Sequence, residues 1–395
     1  MTCRPNPGLL PKHIMNTLTL LDRLIAFETT SAASNLPLIE FVEDYLKTRG
    51  FQVTRVPDDT GLKAGLFAVL GPAGDGVMVS AHTDVVPVTG QIWTRDPFRL
   101  SRDGDRLYGR GTTDMKGYLA AMLALADRAS TVPLKEPLKL AISYDEEIGC
   151  VGMQSMISHL PRALGTPRAC FVGEPTSMEV AIGHKGKAAF EAICRGQSGH
   201  SALAPQFTNA LHLAAEFITE LRGIQRHYAT KGARDAAYGV PYSTVHVGTL
   251  TGGTALNIVP DRAEMRLEYR HLAADPTSEI AARIFAAAEH VSARFQALDP
   301  EASIDLTQVN AYPGLDVPED AKIVSLAKSL ARSNATTKVA FGTEAGFFQG
   351  LGIPTVVCGP GSMAGQGHKP DEYIEISQLA ACDAMMDRIL DSLKA

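Results

Sequence analysis

The sequence has no C-x-x-C pair, no basic block and no apolar run approaching the ~18 residues of a membrane-spanning helix. Its six cysteines (Cys3, Cys150, Cys170, Cys194, Cys358 and Cys382) are scattered. That spacing excludes a disulfide framework and a thiolate metal site. They read as small buried hydrophobes in a reducing compartment, with the cytoplasm as the default. The formal net charge is −6 and no Lys/Arg cluster offsets it, so nucleic acid is not the expected partner. The opening Met1-Thr2-Cys3-Arg4-Pro5 lacks the apolar run of a signal peptide, and residues 1–14 are expected to form a loose extension. No internal repeat and no low-complexity tract is visible.

What remains is a globular composition, 45% hydrophobic and 20% charged, in 395 residues, which suggests two domains. Two amphipathic helices open the pattern. One carries Leu18, Leu20, Leu21, Leu24 and Ile25. The other runs from Leu38 to Leu46 and stops at Gly50. Strands are expected at about 64–70, 76–81, 137–143, 169–173 and 354–358, and a helix at 116–130. Continuous apolar strands separated by helices predict an α/β domain, a mostly parallel mixed sheet covered on both faces. Residues 187–305 have another rhythm: strand 188–194, helix 209–221, strands 243–250 and 263–269, helix 278–294, strand 303–308. This β-α-β-β-α-β order is that of a ferredoxin-like α+β unit. It divides the chain into a discontinuous domain, 1–186 with 306–395, and an inserted domain, 187–305. Lys185 and Lys187 fall at the hinge between them. Met153, Met156, Met385 and Met386 sit at helical spacing and are expected in the core.

The chemistry-bearing residues follow strand ends. Val79-Ser80-Ala81-His82-Thr83-Asp84 ends an apolar strand on a His and an Asp two residues apart, which an extended backbone points the same way. Asp145, Glu146 and Glu147 follow the next strand, and Glu174 follows another. His368 lies in a Gly-rich loop after the last, and Asp114 precedes a helix. Any one of these acids alone reads as a solvated group or an N-cap. Five such places on one sheet edge, where open α/β sheets bind ligands, read as one metal centre. Imidazoles and carboxylates without thiolates suit Zn²⁺, Co²⁺ or Mn²⁺. Two His and three acids exceed one tetrahedral ion with an open position and suit two ions with a shared carboxylate.

On these motifs, over nearly its whole length, the sequence resembles the metallopeptidase M20 family. Val172-Gly-Glu-Pro-Thr-Ser177, Val240-Pro-Tyr-Ser-Thr-Val245 and Gly342-Thr-Glu-Ala345 look most like its acetylornithine deacetylases. The resemblance implies that His82 and Glu174 hold one ion, that Glu147 and His368 hold the other, and that Asp114 bridges both. It further implies Asp84 behind His82, Glu146 as general base, and a cis peptide bond after Asp114. His200, in Gln197-Ser198-Gly199-His200, would stabilise the oxyanion in the site of a partner subunit, with the inserted domain making a homodimer. Asn257 and Arg270 would contact substrate, Arg270 through its α-carboxylate.

The expectation is a metal-dependent hydrolase of a small N-acyl amino acid, without membrane or nucleic-acid partners. N-acetyl-L-ornithine is the leading substrate, because Glu344 offers a carboxylate to a side-chain ammonium. N-succinyl-diaminopimelate, another N-acyl amino acid or a dipeptide are alternatives, and a metal-free binding protein on the same scaffold is a remote one.

Overall fold

The computed structural model describes residues 15–395. The expected extension, 1–14, lies outside them, as does Cys3. The helix Thr17–Ile25 is capped by Asn16, whose side chain accepts the Thr19 N–H at 2.9 Å, and it buries Leu20, Leu21, Leu24 and Ile25. The helix Leu36–Lys47 ends where Gly50 takes φ +84°.

The main sheet has nine strands. At its centre Leu138–Ser143, Val77–His82, Ala169–Pro175 and Thr355–Gly359 lie side by side and parallel. All their residues are buried, as strands covered on both faces must be. Gln52–Pro57 and Ala64–Leu70 extend the sheet antiparallel on one side. Val180–His184 and Leu315–Asp316 extend it antiparallel on the other, with Thr336–Val339 beside Val180–His184. The mixed α/β expectation therefore holds. The four methionines expected in the core are fully buried.

A second sheet of four antiparallel strands runs in the order Thr244–Gly252, Arg262–His271, Gly186–Arg195, Ser303–Tyr312. Along Gly186–Arg195 alternate residues are buried, and Phe190 joins Phe217 and Val291 of the helices Ala210–Lys231 and Thr277–Phe295 in a separate core. Two elements run longer than their expected ends. The helix after Asn209 continues past Leu221 to Lys231, because Ile224 and Tyr228 prolong its apolar stripe before Gly232. The last strand continues past Gln308 through a bulge to Tyr312, so a boundary at 305 falls inside a paired strand.

A three-stranded ribbon has no counterpart in the sequence-based expectation. Ser101–Asp103 and Arg106–Tyr108 pair with each other, and Tyr373–Glu375 adds to them. It brings the segment after His368 against the segment before Asp114.

Candidate metal centre

The four parallel strands deliver most of the site at their carboxyl ends. His82 is the last residue of Val77–His82. Glu146 and Glu147 follow Leu138–Ser143, Glu174 lies within the end of Ala169–Pro175, and the loop after Thr355–Gly359 carries His368. Asp114 enters from a buried turn, Thr112–Lys116, before the helix Gly117–Ala129, and the Asp114–Met115 peptide bond is cis.

Asp114 stands in the middle. Its Oδ1 lies 3.1 Å from His82 Nε2, and its Oδ2 lies 3.1 Å from His368 Nε2. His82 Nε2 is 3.5 Å from Glu174 Oε1, and His368 Nε2 is 2.9 Å from Glu147 Oε2. Each oxygen of one carboxylate thus faces its own His–Glu pair. Ligand atoms of His82, Asp114 and Glu147 lie within 4.8 Å of one another, as do those of His82, Glu146 and Glu174.

The charge balance of these side chains calls for cations. Burial, and then the charge of neighbouring acids, pushes Glu147 up to about 7, and it raises Glu146 and Glu174 well above the usual carboxylate range. Burial opposes charge on Asp114 too, but hydrogen bonds from both histidines hold it below that range. Hydrogen bonds to Asp114 and Glu147 push His368 up to about 10. His82 is fully buried, which disfavours its charge, yet Glu174, Asp114 and Asp84 hold it raised. Glu147 Oε1 is buried without a protein partner among the described residues. A crowd of buried acids, an orphaned carboxylate oxygen and imidazole nitrogens at their centre form a donor set that fits divalent cations.

Asp84 sits behind this set in a different way from a simple imidazole partner. His82 Nδ1 is 3.0 Å from the Asp84 backbone oxygen and 3.4 Å from its carboxylate. The carboxylate instead accepts the N–H groups of Glu146 (3.1 Å) and Glu147 (3.2 Å) and the Ser31 hydroxyl (2.7 Å). One residue therefore fixes both the first histidine, chiefly through its backbone oxygen, and the loop bearing the acid pair, through its carboxylate.

Residues 78–392 match Peptidase family M20/M25/M40. The chain belongs to this family. It is 32% identical to an acetylornithine deacetylase of Myxococcus xanthus over 93% of this chain and 95% of that one. It is equally similar to an acetylornithine deacetylase of Proteus mirabilis, over 95% and 96%. Among solved structures it resembles an M20 family metallo-carboxypeptidase from Sulfolobus solfataricus, with TM-score 0.75, 19% identity and coverage of 95% and 98%. A dinuclear metal-binding peptidase of the M20 family from Bacillus subtilis matches with TM-score 0.62, 17% identity and coverage of 95% and 97%. The chain is accordingly an M20 hydrolase of amide bonds.

The remaining candidate residues of this M20 chain fall in two places. His200 and Asn257 are exposed and lie together where Gly199–His200 pairs antiparallel with Ile258–Val259, His200 facing Ile258. His200 Nδ1 accepts the Ala202 N–H at 3.0 Å, and the Asn257 carbonyl accepts the Ser201 N–H at 3.1 Å. Arg270 is half-buried near the end of the strand Arg262–His271, and its Nε donates to Glu268 Oε1 at 3.0 Å. None of these contacts reaches the metal-ligand set. Glu344 lies close to it. Its side chain is buried, burial pushes it up to about 7, and its Oε1 has no partner among the described residues. Sequence reasoning missed Ser31, whose only signal was its place after the first helix, and Cys150, whose thiol donates to Glu146 Oε1 at 3.3 Å. No helix of the described residues is long and apolar enough to cross a membrane.

Proposed function

We propose that this M20 enzyme removes the acyl group from an N-acyl amino acid, and that its substrate is N-acetyl-L-ornithine, cleaved to L-ornithine and acetate for arginine biosynthesis. Two divalent cations serve it, zinc in preference to cobalt or manganese. The observation that carries the two-ion reading is the Asp114 carboxylate, with one oxygen toward His82 and Glu174 and the other toward His368 and Glu147. When bound, the ions supply Lewis-acid polarisation of the amide carbonyl and bring the pKa of water toward neutrality. Glu146 takes the proton of the attacking water and returns it to the departing amine nitrogen. Arg270 holds the substrate α-carboxylate with its planar fork of donors, and Asn257 adds a polar contact.

Two things support ornithine as the product. The 32% identical relatives span nearly the whole chain and are acetylornithine deacetylases. Glu344 is a buried carboxylate whose Oε1 has no partner among the described residues, and a δ-ammonium would satisfy it. A deacylation assay should favour N-acetyl-L-ornithine over N-acetyl-L-norvaline, which lacks the ammonium, by ~10–100-fold, the worth of one charged hydrogen bond. Glu344→Gln should erase that preference. Faster turnover of N-succinyl-diaminopimelate or of a dipeptide would move the assignment elsewhere in the family.

The inserted unit, whose sheet extends from Gly186 to Tyr312, is read as the dimerisation domain, with the segments before and after it as the catalytic domain. The strand Thr244–Gly252 forms one edge of its sheet, and the neighbouring loop holds the fully exposed Leu256 beside Asn257. His200 is read as completing the site of a partner subunit. Mixing inactive His200→Ala chains with inactive Glu146→Ala chains should restore part of the activity, and no recovery would mean His200 serves its own chain. The cytoplasm suits the five described cysteines, which are buried free thiols.

A further inference from the structure

Asp114 and His368 are far apart in sequence, yet one hydrogen-bonded cluster outside the ligand set joins their backbones. Glu372 is 1% exposed and receives four N–H groups. Its Oε1 accepts from the backbone of Thr113 (2.9 Å) and Asp114 (3.1 Å), and its Oε2 accepts from Gly111 N (3.1 Å) and the Arg110 guanidinium (2.7 Å). Arg110 is also 1% exposed and reaches across to Gln91 Oε1 at 2.5 Å. Gln91 in turn donates from Nε2 to the His368 carbonyl at 3.0 Å. The Thr113 hydroxyl donates to Tyr373 O at 2.6 Å, a second tie between the same two segments. Trp93, the single tryptophan, donates to Gln91 Oε1 at 3.1 Å, and the Arg110 guanidinium carbon lies 5.0 Å from its ring centroid.

His368 needs such a tie. It lies in a glycine-rich loop, its side chain is 46% exposed, and its backbone takes φ +60°, a conformation costly to a non-glycine residue. A ligand on a free loop would lose conformational entropy on binding an ion, of order 1–2 kcal/mol per residue fixed. The side chains joining Asp114 to His368 remove that loss before the ion arrives. Mutual geometry also matters, because both residues face one ion position with Glu147.

We propose that Arg110, Glu372 and Gln91 are positioning residues that lock the Asp114 turn to the His368 loop and thereby set the affinity for the ion shared by Asp114, His368 and Glu147. The proposal rests on the two-ion reading above. Glu372→Gln keeps the shape but turns an NH₂ group toward backbone N–H donors and leaves Arg110 without its counter-charge. Gln91→Leu breaks the link to His368 and removes the acceptor of Arg110 and Trp93, but keeps the Arg110–Glu372 pair, at a partly exposed position.

The test uses the full chain stripped of metal and titrated with Zn²⁺, followed by calorimetry and by Trp93 fluorescence. Wild type should bind two equivalents, with a fluorescence change accompanying one of them. In Glu372→Gln the affinity for that ion should fall ~10–100-fold, the usual effect of removing a group that orients a ligand. Gln91→Leu should weaken the same ion several-fold, keep the metal-free melting temperature of wild type and regain wild-type kcat at saturating metal. Wild-type affinity for both ions in a folded Glu372→Gln overturns the proposal. If that variant fails to fold, Gln91→Leu decides, and an unchanged titration there overturns it equally. A wild-type chain that binds no Zn²⁺, Co²⁺ or Mn²⁺ sinks the two-ion reading itself, a result separate from either variant's.

Discussion

An Asp114→Ala enzyme should retain neither ion at stoichiometric metal and should hydrolyse no substrate above background. The loss should exceed the ~10²–10⁴-fold typical of deleting a general acid or base, because it removes the centre and not one step of it. The reason is geometric: among the described residues no other carboxylate pairs closely with both histidines, and Asp114 meets His82 with one oxygen and His368 with the other, each at 3.1 Å. The fold itself should survive. In the metal-free chain Asp114 is one of several buried acids, and its charge raises Glu146, Glu147 and Glu174. Removing it relieves that repulsion, at the cost of two contacts to histidine. Thermal melts with and without added metal separate these effects. Wild type gains stability with metal in proportion to RT ln(1 + [L]/Kd), whereas the variant should gain little. Two tightly held equivalents of metal in Asp114→Ala would show that the ions do not share this carboxylate.

The strands that carry this site were legible because their pattern is simple. Val77–His82 and Leu138–Ser143 are continuous apolar runs, buried on both faces, and each is followed at once by its polar residues. A parallel sheet turns that one-dimensional order into convergence, since the ends of adjacent parallel strands share an edge. The inserted unit was legible for a related reason: Gly186–Arg195 buries every second residue against two helices. What escaped was made of contacts between segments that no local period connects. The ribbon that joins Arg106–Tyr108 to Tyr373–Glu375 is three residues per strand, too short for alternation to register. Nothing in the sequence connects Arg110 with Glu372, yet each is 1% exposed and the two charges pair at 2.7 Å. Asp84 was expected to act on His82 by its carboxylate. The structure gives the closer approach to its backbone oxygen and turns the carboxylate to the amides of Glu146 and Glu147, a role set by the loop's path and not by residue type.

That loop makes Glu146→Gln the sharpest test of the chemistry. The variant should bind both ions as wild type does and lose ~10²–10⁴-fold in kcat, with KM little changed. Glutamine keeps the volume of the side chain and an oxygen that can accept the Cys150 thiol, now 3.3 Å from Glu146 Oε1, so the loop should hold its place. It cannot take up a proton from water at neutral pH. Glu147→Gln should behave in the opposite sense. It weakens the ion beside His368, because Glu147 Oε2 is 2.9 Å from His368 Nε2 and its other oxygen has no protein partner. The pair is needed because Glu146 also comes within ligand distance of His82 and Glu174. If Glu146 were a ligand there, Glu146→Gln would lower metal content together with rate, and added metal would restore part of the activity. Full metal content with collapsed turnover assigns Glu146 to proton transfer, whereas metal loss with rescue reverses the roles of the two neighbours.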